Sequence, residues 1–161
     1  MSNYKIFPNV KFGKNVQIDD YVIIGYPPKG KKPGETKTVI GDNALIRSHT
    51  VIYAGNNIGN NFSTGHNVLI RECNVIGNNV SVGSHTVIEH KSKISDNVRI
   101  HSNCFICEYS VIEKNAWIGP CVIFTNTLHP LCPKVKECIK GPTIQEEAKI
   151  GAGSILMPGI I

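Results

Sequence analysis

The sequence predicts an all-β solenoid whose coils have three short flat sides each. The first observation is a hydrophobic residue at every sixth position: from Ile40 to Phe124, fourteen of fifteen such leading positions are Ile, Val or Phe, and Thr64 is the exception. The second is a small or β-branched residue at the fifth position of many hexads, namely Ala44, Thr50, Val80, Thr86, Ser92, Ala116 and Ser154. A strict period of six matches neither a long α-helix nor a long extended strand.

Each hexad is expected to supply a few extended residues, led by an inward-pointing side chain, and then a corner. Gly, Asn and Asp are frequent between the hydrophobic positions, and these residues tolerate the left-handed backbone angles that a corner needs. Three hexads form a coil of 18 residues. About seven such coils would stack with the spacing of neighbouring strands, about 4.8 Å.

The hexads run along nearly the whole chain and are interrupted twice. They begin at Ile6, continue from Ile40 after one gap, and resume at Ile144 after a second gap. We therefore expect a single β-helix domain over residues 1–161, with loop insertions near 26–39 and 127–143. The second insertion is longer than a connection requires, and loops of that kind are often functional.

The composition limits the class of protein and of partner. The chain is 41% hydrophobic and 18% charged, and no stretch approaches the roughly 18 apolar residues of a membrane span. Without an apolar signal segment at its start, the sequence predicts a cytoplasmic protein that does not bind membranes. The net charge is +5, with lysines grouped in 27–37 and 133–140 and no interleaved aromatic residues, which favours small phosphorylated ligands over nucleic acid.

In such a solenoid, residues 18 positions apart lie above one another, so candidate sites are columns. The third position of every third hexad gives a polar column of Glu72, His90, Glu108 and Asn126. A glutamate one coil above or below His90 is close enough to hydrogen-bond its ring and set its tautomer. Histidine ordinarily has a pKa of about 6.5, which suits proton removal near neutral pH. The alternative is a solvated ladder of corner residues without a function.

The motif [LIV]-[GAED]-x-x-[STAV]-x over nearly the full chain resembles the hexapeptide-repeat acyltransferases. This resemblance implies a left-handed parallel β-helix and a homotrimer with active sites between subunits. The column, together with "IRSHTVIYAG" (46–55), "FSTGHNVLIRE" (62–72) and "WIGPCVIFTN" (117–126), is similar to the N-acetyltransferases of nucleotide-linked amino sugars, particularly dTDP-3-amino-3,6-dideoxyhexoses. Many members have further coils or a C-terminal helix beyond the point matching Ile161, so we expect either a short member or a truncated form.

The second resemblance implies transfer of an acetyl group from acetyl-CoA to a sugar amine, without a metal. His90 would accept the amine proton, Glu108 or Glu72 would orient His90, and Asn126 would position the amine or the acyl carbonyl. Acetyl-CoA would lie along nearly bare outward positions at Gly119, Gly151 and Ala152. Trp117 would cover it, and Lys134 would meet its phosphates. Besides Glu72, the candidates for binding the acceptor sugar and its diphosphate are His66, Arg47 and Arg71.

Three other interpretations remain open. The segment "FTNTLHP" (124–130) resembles the galactoside and maltose O-acetyltransferases, in which the histidine at the place of His129 activates a sugar hydroxyl. The spacing of His49, His85 and His90 resembles the zinc site of gamma-class carbonic anhydrases, but 36 residues without an insertion put His49 and His85 two coils apart, too far for one zinc ion. The third is a non-catalytic β-helix.

The spacing of two cysteines argues against a second kind of metal site. Cys104 takes an inward fifth position and Cys107 an outward second position, so the pair is not expected to bind a metal together.

Overall fold

The protein folds as a left-handed parallel β-helix. The computed structural model describes residues 3–161, which form 22 short strands in three parallel sheets and one short helix, α1 (Val135–Cys138). Sheet A contains β1 (Lys5–Ile6), β4 (Ile23–Tyr26), β7 (Val51–Tyr53), β10 (Leu69–Ile70), β13 (Val87–Ile88), β16 (Phe105–Ile106), β19 (Ile123–Phe124) and β22 (Ile155–Leu156).

The other two sheets form the remaining sides of each coil. Sheet B contains β2 (Val10–Phe12), β5 (Thr38–Ile40), β8 (Asn57–Ile58), β11 (Val75–Ile76), β14 (Lys93–Ile94), β17 (Val111–Ile112) and β20 (Thr143–Ile144). Sheet C contains β3 (Gln17–Ile18), β6 (Leu45–Ile46), β9 (Ser63–Thr64), β12 (Ser81–Val82), β15 (Arg99–Ile100), β18 (Trp117–Ile118) and β21 (Lys149–Ile150). The chain passes from sheet C to sheet A to sheet B in every coil.

The strand register confirms the predicted columns. Ile70 pairs with Ile88, and Ile88 pairs with Ile106, each 18 residues further along the chain. The leading residues fill the core: those from Ile40 to Phe124 are all buried, including Thr64 at 6% exposure. Because every coil adds the same inward side chains, one continuous hydrophobic core runs along the axis.

Three rows of corners connect the sheets. The site corner, between sheets A and B, comprises residues 71–74, 89–92 and 107–110. The asparagine corner, between sheets B and C, comprises residues 59–62, 77–80 and 95–98. The glycine corner, between sheets C and A, comprises residues 65–68, 83–86, 101–104 and 119–122.

The fourth residue of each hexad turns the corner with a positive φ. The positions between β5 and β19 are Asn43, His49, Gly55, Asn61, Asn67, Cys73, Asn79, His85, Lys91, Asn97, Asn103, Tyr109, Asn115 and Cys121. Asn predominates because its short polar side chain tolerates this conformation. Asp42 and Asp96 also lie at this kind of corner, as predicted, but one residue before the turning position. There each Oδ1 accepts a backbone N–H from the preceding coil at 2.6 Å.

A ladder of side-chain amides follows the asparagine corner. Asn61 Nδ2 donates to Asn79 Oδ1 at 2.8 Å, and Asn79 Nδ2 donates to Asn97 Oδ1 at 2.9 Å. The ladder continues to Asn43 in one direction and to Asn115 in the other. Asn79 thus combines a left-handed conformation with one hydrogen bond to each neighbouring coil.

Replacing Asn79 with alanine is expected to lower the free energy of unfolding by about 1–2 kcal/mol. About half of the loss comes from forcing alanine into a left-handed conformation and the rest from the two amide hydrogen bonds. Asn79→Gly should recover the conformational part, because glycine adopts positive φ without steric cost. Urea unfolding measures both variants. Equal losses for alanine and glycine would contradict a conformational role for this position.

Two excursions leave the regular coil. Residues 27–37 connect β4 to β5 and contain an ion pair between Lys31 and Glu35. Residues 125–142 connect β19 to β20 and contain α1, which buries none of its residues. No helix within residues 3–161 has the length and apolar character needed to cross a bilayer.

The placement of one cysteine differs from the prediction. Cys104 is buried as expected, but Cys107, expected to point outward, is also buried at 3% exposure. Its short side chain turns back to within 3.4 Å of Ser110 Oγ, whereas the longer Glu89, one coil earlier, stays partly exposed. Burial raises the pKa of both thiols, so neither is expected to react readily at neutral pH.

Candidate functional site

Five charged or titratable side chains meet at the site corner. They are Arg71 and Glu72 in one coil, Glu89 and His90 in the next, and Glu108 in the coil after that. Strands β10, β13 and β16 place them, because these strands pair in register and each is followed by the same type of corner. This cluster holds three carboxyl groups, one guanidinium group and one imidazole. Lys91 and Tyr109 lie on the same corner, with Lys91 Nζ 5.5 Å from the Tyr109 ring and that ring 5.9 Å from the His90 ring.

His90 is held between two carboxylates. Its Nδ1 lies 3.6 Å from Glu108 Oε2 and 3.7 Å from Glu89 Oε2. Both distances exceed a hydrogen bond, and Nδ1 is buried without a partner in the described structure. A proton on Nδ1 is favoured there, because a lone pair would face two negative charges. The other ring nitrogen, Nε2, is then the one able to accept a proton from a substrate.

Glu72 pairs with Arg71 rather than with His90, the partner that one of the two predicted arrangements gives it. Its carboxylate accepts two hydrogen bonds from Arg71, from Nε at 2.8 Å and from the terminal Nη2 at 2.9 Å. Partial burial acts to raise the pKa of Glu72, but the hydrogen bonds and charge of Arg71 outweigh it and hold the pKa below the ordinary value of 4.5. Glu72 is therefore an anion at neutral pH and forms a bidentate ion pair.

Arg71, which was predicted to bind a diphosphate, is paired with protein groups in this structure. Besides Glu72, its Nη1 contacts Glu89 Oε2 at 3.4 Å, and its guanidinium carbon lies 5.1 Å from the centre of the Tyr53 ring. Glu72 raises the pKa of Arg71 further. Arg71 therefore forms ion pairs with Glu72 in its own coil and with Glu89 in the next coil, which also carries His90.

The ion pair at Glu72 predicts a specific pH dependence of stability. Glu72→Gln is expected to lower the free energy of unfolding at pH 7 by about 1 kcal/mol. Because the folded pKa of Glu72 is depressed, this contribution is present above pH 4.5 and is lost as the pH falls further, through the folded pKa. Unfolding by urea at pH 7 and at pH 3 measures the difference.

Glu146→Gln is the control for this pH dependence, since Glu146 is exposed and forms no ion pair within residues 3–161. A difference between wild type and Glu72→Gln that stays the same at both pH values would contradict the assignment.

Glu89 is the residue that sequence reasoning missed. Columns compare residues 18 positions apart, and Glu89 stands next to His90 along the chain instead. The sequence did contain a signal for Glu89: Arg71 lies 18 residues before it, so an arginine and a glutamate are stacked in neighbouring coils, and they form an ion pair. Both Glu89 and Glu108 are thus placed to orient His90.

The remaining candidates after strand β19 lie in or beside the long excursion. Asn126 follows Glu108 in the column and is half-buried, with its Oδ1 accepting a hydrogen bond from Thr127 Oγ1 at 3.1 Å. His129 and Lys134 are exposed, and neither side chain forms a hydrogen bond or ion pair with another described residue. Asn126 lies three residues after Ile123, which pairs in register with Phe105, whereas His129 lies further into the excursion.

The candidates for acyl-CoA binding lie on the glycine corner and beside it. Trp117 is half-buried, with its ring centre 4.8 Å from that of His101. Gly119 is buried, and a Cβ there would lie 2.8 Å from the backbone nitrogen of Ala152, so coil packing itself requires glycine. Gly151 and Ala152 are exposed, and a Cβ on Gly151 would meet only Ser154 Oγ at 3.9 Å. The open surface is thus at Gly151.

Two candidates for acceptor binding also lie on this side of the molecule. Arg47 pairs with Asp19 at 3.5 Å, and the exposed His66 has its Nδ1 2.7 Å from Ser48 Oγ. His66 and Arg47 are therefore separated from Arg71 and Glu72 by the width of sheet A. The two groups lie at opposite corners of sheet A, and no hydrogen bond or ion pair joins them within residues 3–161.

The three histidines of the zinc hypothesis, His49, His85 and His90, are far apart in the way that the 18-residue register predicts. His49 and His85 lie two coils apart on the glycine corner, whereas His90 is on the site corner. Within residues 3–161, side-chain donor atoms of Glu89, His90 and Glu108 lie within 4.8 Å of one another, a spacing that a divalent cation could also bridge. The same three groups suffice for holding and moving a proton.

Comparisons with known proteins agree with the fold. The sequence matches no model of a known protein family and no curated protein. A solved structure with similar architecture is the UDP-N-acetylglucosamine O-acyltransferase (LpxA) of Moraxella catarrhalis, with 17% sequence identity and a TM-score of 0.53. The match covers 94% of this chain and 66% of that protein, slightly less than two thirds of its length. A similarity at this identity supports the shared β-helical fold.

Proposed function

We propose that the protein is a hexapeptide-repeat acyltransferase that moves an acetyl group from acetyl-CoA to the amine of a nucleotide-linked amino sugar. The observation that carries the proposal is the placement of His90 Nδ1 between Glu89 and Glu108, at 3.7 and 3.6 Å. This arrangement orients the ring and leaves Nε2 as a general base. The similarity to a sugar O-acyltransferase supports acyl transfer in general.

The charge at the site corner favours an amine over a hydroxyl group as acceptor. Three carboxylates stand against two cations, Arg71 and the exposed Lys91, which leaves a net charge of −1 on the site corner apart from His90. An amino sugar arrives largely as an ammonium ion, which such a cluster attracts. The ammonium ion must first release one proton to solvent, because only the neutral amine attacks. Glu108 and Glu89 then stabilise the protonated imidazole that forms when His90 accepts the second proton during the attack.

The reaction follows from these roles. The amine nitrogen attacks the thioester carbonyl and forms a C–N bond, while His90 Nε2 accepts the proton that the nitrogen loses. The tetrahedral intermediate collapses, the C–S bond breaks, and the proton on His90 passes to the departing thiolate. The products are an N-acetylated sugar and CoA thiol. Asn126, at the next step of the column, is placed to hydrogen-bond the amine or the acyl carbonyl.

Sheet A supports a homotrimer with sites between subunits. Its outward side chains form an unbroken apolar column: Ile23, Val51, Leu69, Val87, Phe105, Ile123 and Ile155. The three members nearest the C-terminal end of the column are well exposed, with Phe105 at 39%, Ile123 at 42% and Ile155 at 63%. Sheets B and C carry Lys93 and Arg99 at equivalent places. A continuous apolar face of this kind is typical of an interaction surface.

A threefold arrangement would also complete the site. Sheet A is bounded by the glycine corner on one side and by the site corner on the other. When three such faces surround an axis, the site corner of each subunit lies beside the glycine corner of the next. His90 and Glu108 of one subunit would then share a cleft with Trp117 and Gly151 of its neighbour.

Acetyl transfer is tested by thiol release from acetyl-CoA with a panel of dTDP- and UDP-linked amino sugars. A sugar with hydroxyl in place of the amine is the matched control. The proposal predicts release that depends on the amine. A panel without any release above background would favour a non-catalytic β-helix.

A second candidate function is sugar O-acetylation with His129 as the base. The observation in its favour is the O-acyltransferase with a similar fold. It predicts thiol release with the hydroxyl sugar and a near-complete loss of activity in His129→Ala, because a hydroxyl group depends more on a base than an amine does. Activity retained in His129→Ala would contradict it.

A further inference from the structure

We propose that a buried polar ladder behind the site corner positions His90 and its two carboxylates for the proposed acetyl transfer. The ladder consists of Asn56, Asn74, Ser92 and Ser110, the fifth residues of four successive hexads on this corner. All four are at most 1% exposed. We describe them as positioning residues because their side chains are buried and would act on the site through the backbone.

The ladder bonds the backbone just ahead of each site residue. Asn74 Nδ2 donates to the carbonyl of Arg71 at 2.8 Å, directly before Glu72. Ser92 Oγ donates to the carbonyl of Cys107 at 3.1 Å and contacts that of Glu89 at 3.5 Å. Ser110 Oγ donates to the same Cys107 carbonyl at 2.7 Å, directly before Glu108. The peptide groups carrying Glu72, His90 and Glu108 are therefore held from inside.

The rungs are also joined to one another. Asn56 Oδ1 accepts the N–H of Asn74 at 2.9 Å, and Asn74 Oδ1 accepts the N–H of Ser92 at 2.7 Å. Asn56 Nδ2 reaches the Arg71 carbonyl at 2.8 Å. Ser92 and Ser110 are linked through the Cys107 carbonyl, to which both donate. The ladder thus adds hydrogen bonds to the strand pairing that spaces Glu72, His90 and Glu108.

The fold itself does not require polar residues at these places. On the asparagine corner, the fifth positions are Ala44, Phe62, Val80, Val98 and Ala116, all buried and apolar, and the same type of turn forms. Burying an amide or hydroxyl gives up hydration that only good hydrogen bonds restore. On the glycine corner, buried Thr50 and Thr86 also bond backbone carbonyls 15 residues further on, but Val68 lies between them in the column. Only at the corner of His90 and its carboxylates is the polar set of the described residues continuous, from Asn56 to Ser110. This coincidence supports a role in positioning.

The decisive variant is Ser92→Ala, which removes the hydroxyl bonded behind His90 and Glu108. The matched control is Val80→Ala, the fifth position of the asparagine corner in the same coil, which is fully buried. Ser92→Thr is the conservative variant, because Thr38 occupies the same column and is fully buried. Urea unfolding of all three variants establishes that they fold.

Two readouts separate positioning from stability. With an active sugar substrate, Ser92→Ala is expected to lower kcat by about three- to tenfold, with Ser92→Thr close to wild type and Val80→Ala unchanged. Without any substrate, the ring ¹⁵N chemical shifts of His90 should show the Nδ1–H tautomer in wild type and a mixed population in Ser92→Ala. The second readout remains valid even if the proposed acetyl transfer is wrong.

A wild-type tautomer population and a wild-type kcat in Ser92→Ala would overturn the proposal, whatever the loss of stability. An equal change in Val80→Ala would also overturn it, because that change would then reflect general loosening of the coil.

Discussion

Replacing His90 with alanine is expected to lower kcat/KM for acetyl transfer by about 10²- to 10⁴-fold. This is the usual contribution of a positioned general base, and His90 is the imidazole that two carboxylates hold on the site corner. The fold should persist, because His90 is a partly exposed corner residue outside the core. Thiol release from acetyl-CoA measures the rate, and urea unfolding measures the stability.

A second histidine of the same coil provides the control. His85 lies on the glycine corner with a φ of 59°, and Asn is the common residue at such positions, so His85→Asn should keep both fold and activity. A loss of less than about tenfold in His90→Ala would remove His90 as the essential base, because general-base catalysis ordinarily contributes more. An amine that binds already neutral would then be the explanation, and the proposed transfer would stand.

Replacing Ile123 with aspartate is expected to dissociate the proposed trimer and abolish the proposed acetyl transfer. Ile123 lies in the apolar column of sheet A and is 42% exposed in a single chain. A carboxylate at that place would be buried without a partner around the threefold axis, which strongly opposes association. The native mass, expected near three times the chain mass of 17.6 kDa, should fall to that of one chain.

The matched control carries the same change on another sheet. Val75 is 51% exposed on sheet B, and Val75→Asp should retain both the trimer and the activity. Light scattering after size-exclusion chromatography gives the mass. A monomeric Ile123→Asp protein with wild-type activity would show that one chain contains the complete site. A wild-type protein that is monomeric would contradict the assembly directly.

The fold was predictable because a period of six leaves few physical alternatives. Ile70, Ile88 and Ile106 are inward leading residues, and their pairing at intervals of 18 fixes the stacking of all other residues. The column of His90 and Glu108 followed from this register alone. Corners were less predictable, because residues as different as Lys91, Tyr109 and Cys121 adopt positive φ when the coils on both sides impose it.

Details of the site depended on side-chain choices that spacing does not reveal. Glu72 was expected beside His90, but Arg71 is its neighbour in sequence and binds it with two hydrogen bonds. Glu89 lies outside the column and still reaches the ring. The buried Asn74 was visible as an exception to the small or β-branched fifth position, yet only the structure shows that its amide bonds the Arg71 carbonyl.

The most direct test of the proposed function is the position of the acetyl group in the product. Wild-type protein is incubated with acetyl-CoA and a dTDP-linked amino sugar, and the product is analysed by NMR and mass spectrometry. The proposed function predicts an amide at the sugar nitrogen, formed together with one CoA thiol and strongly diminished in His90→Ala. An ester at a hydroxyl group, or no transfer to any amino sugar, would contradict it.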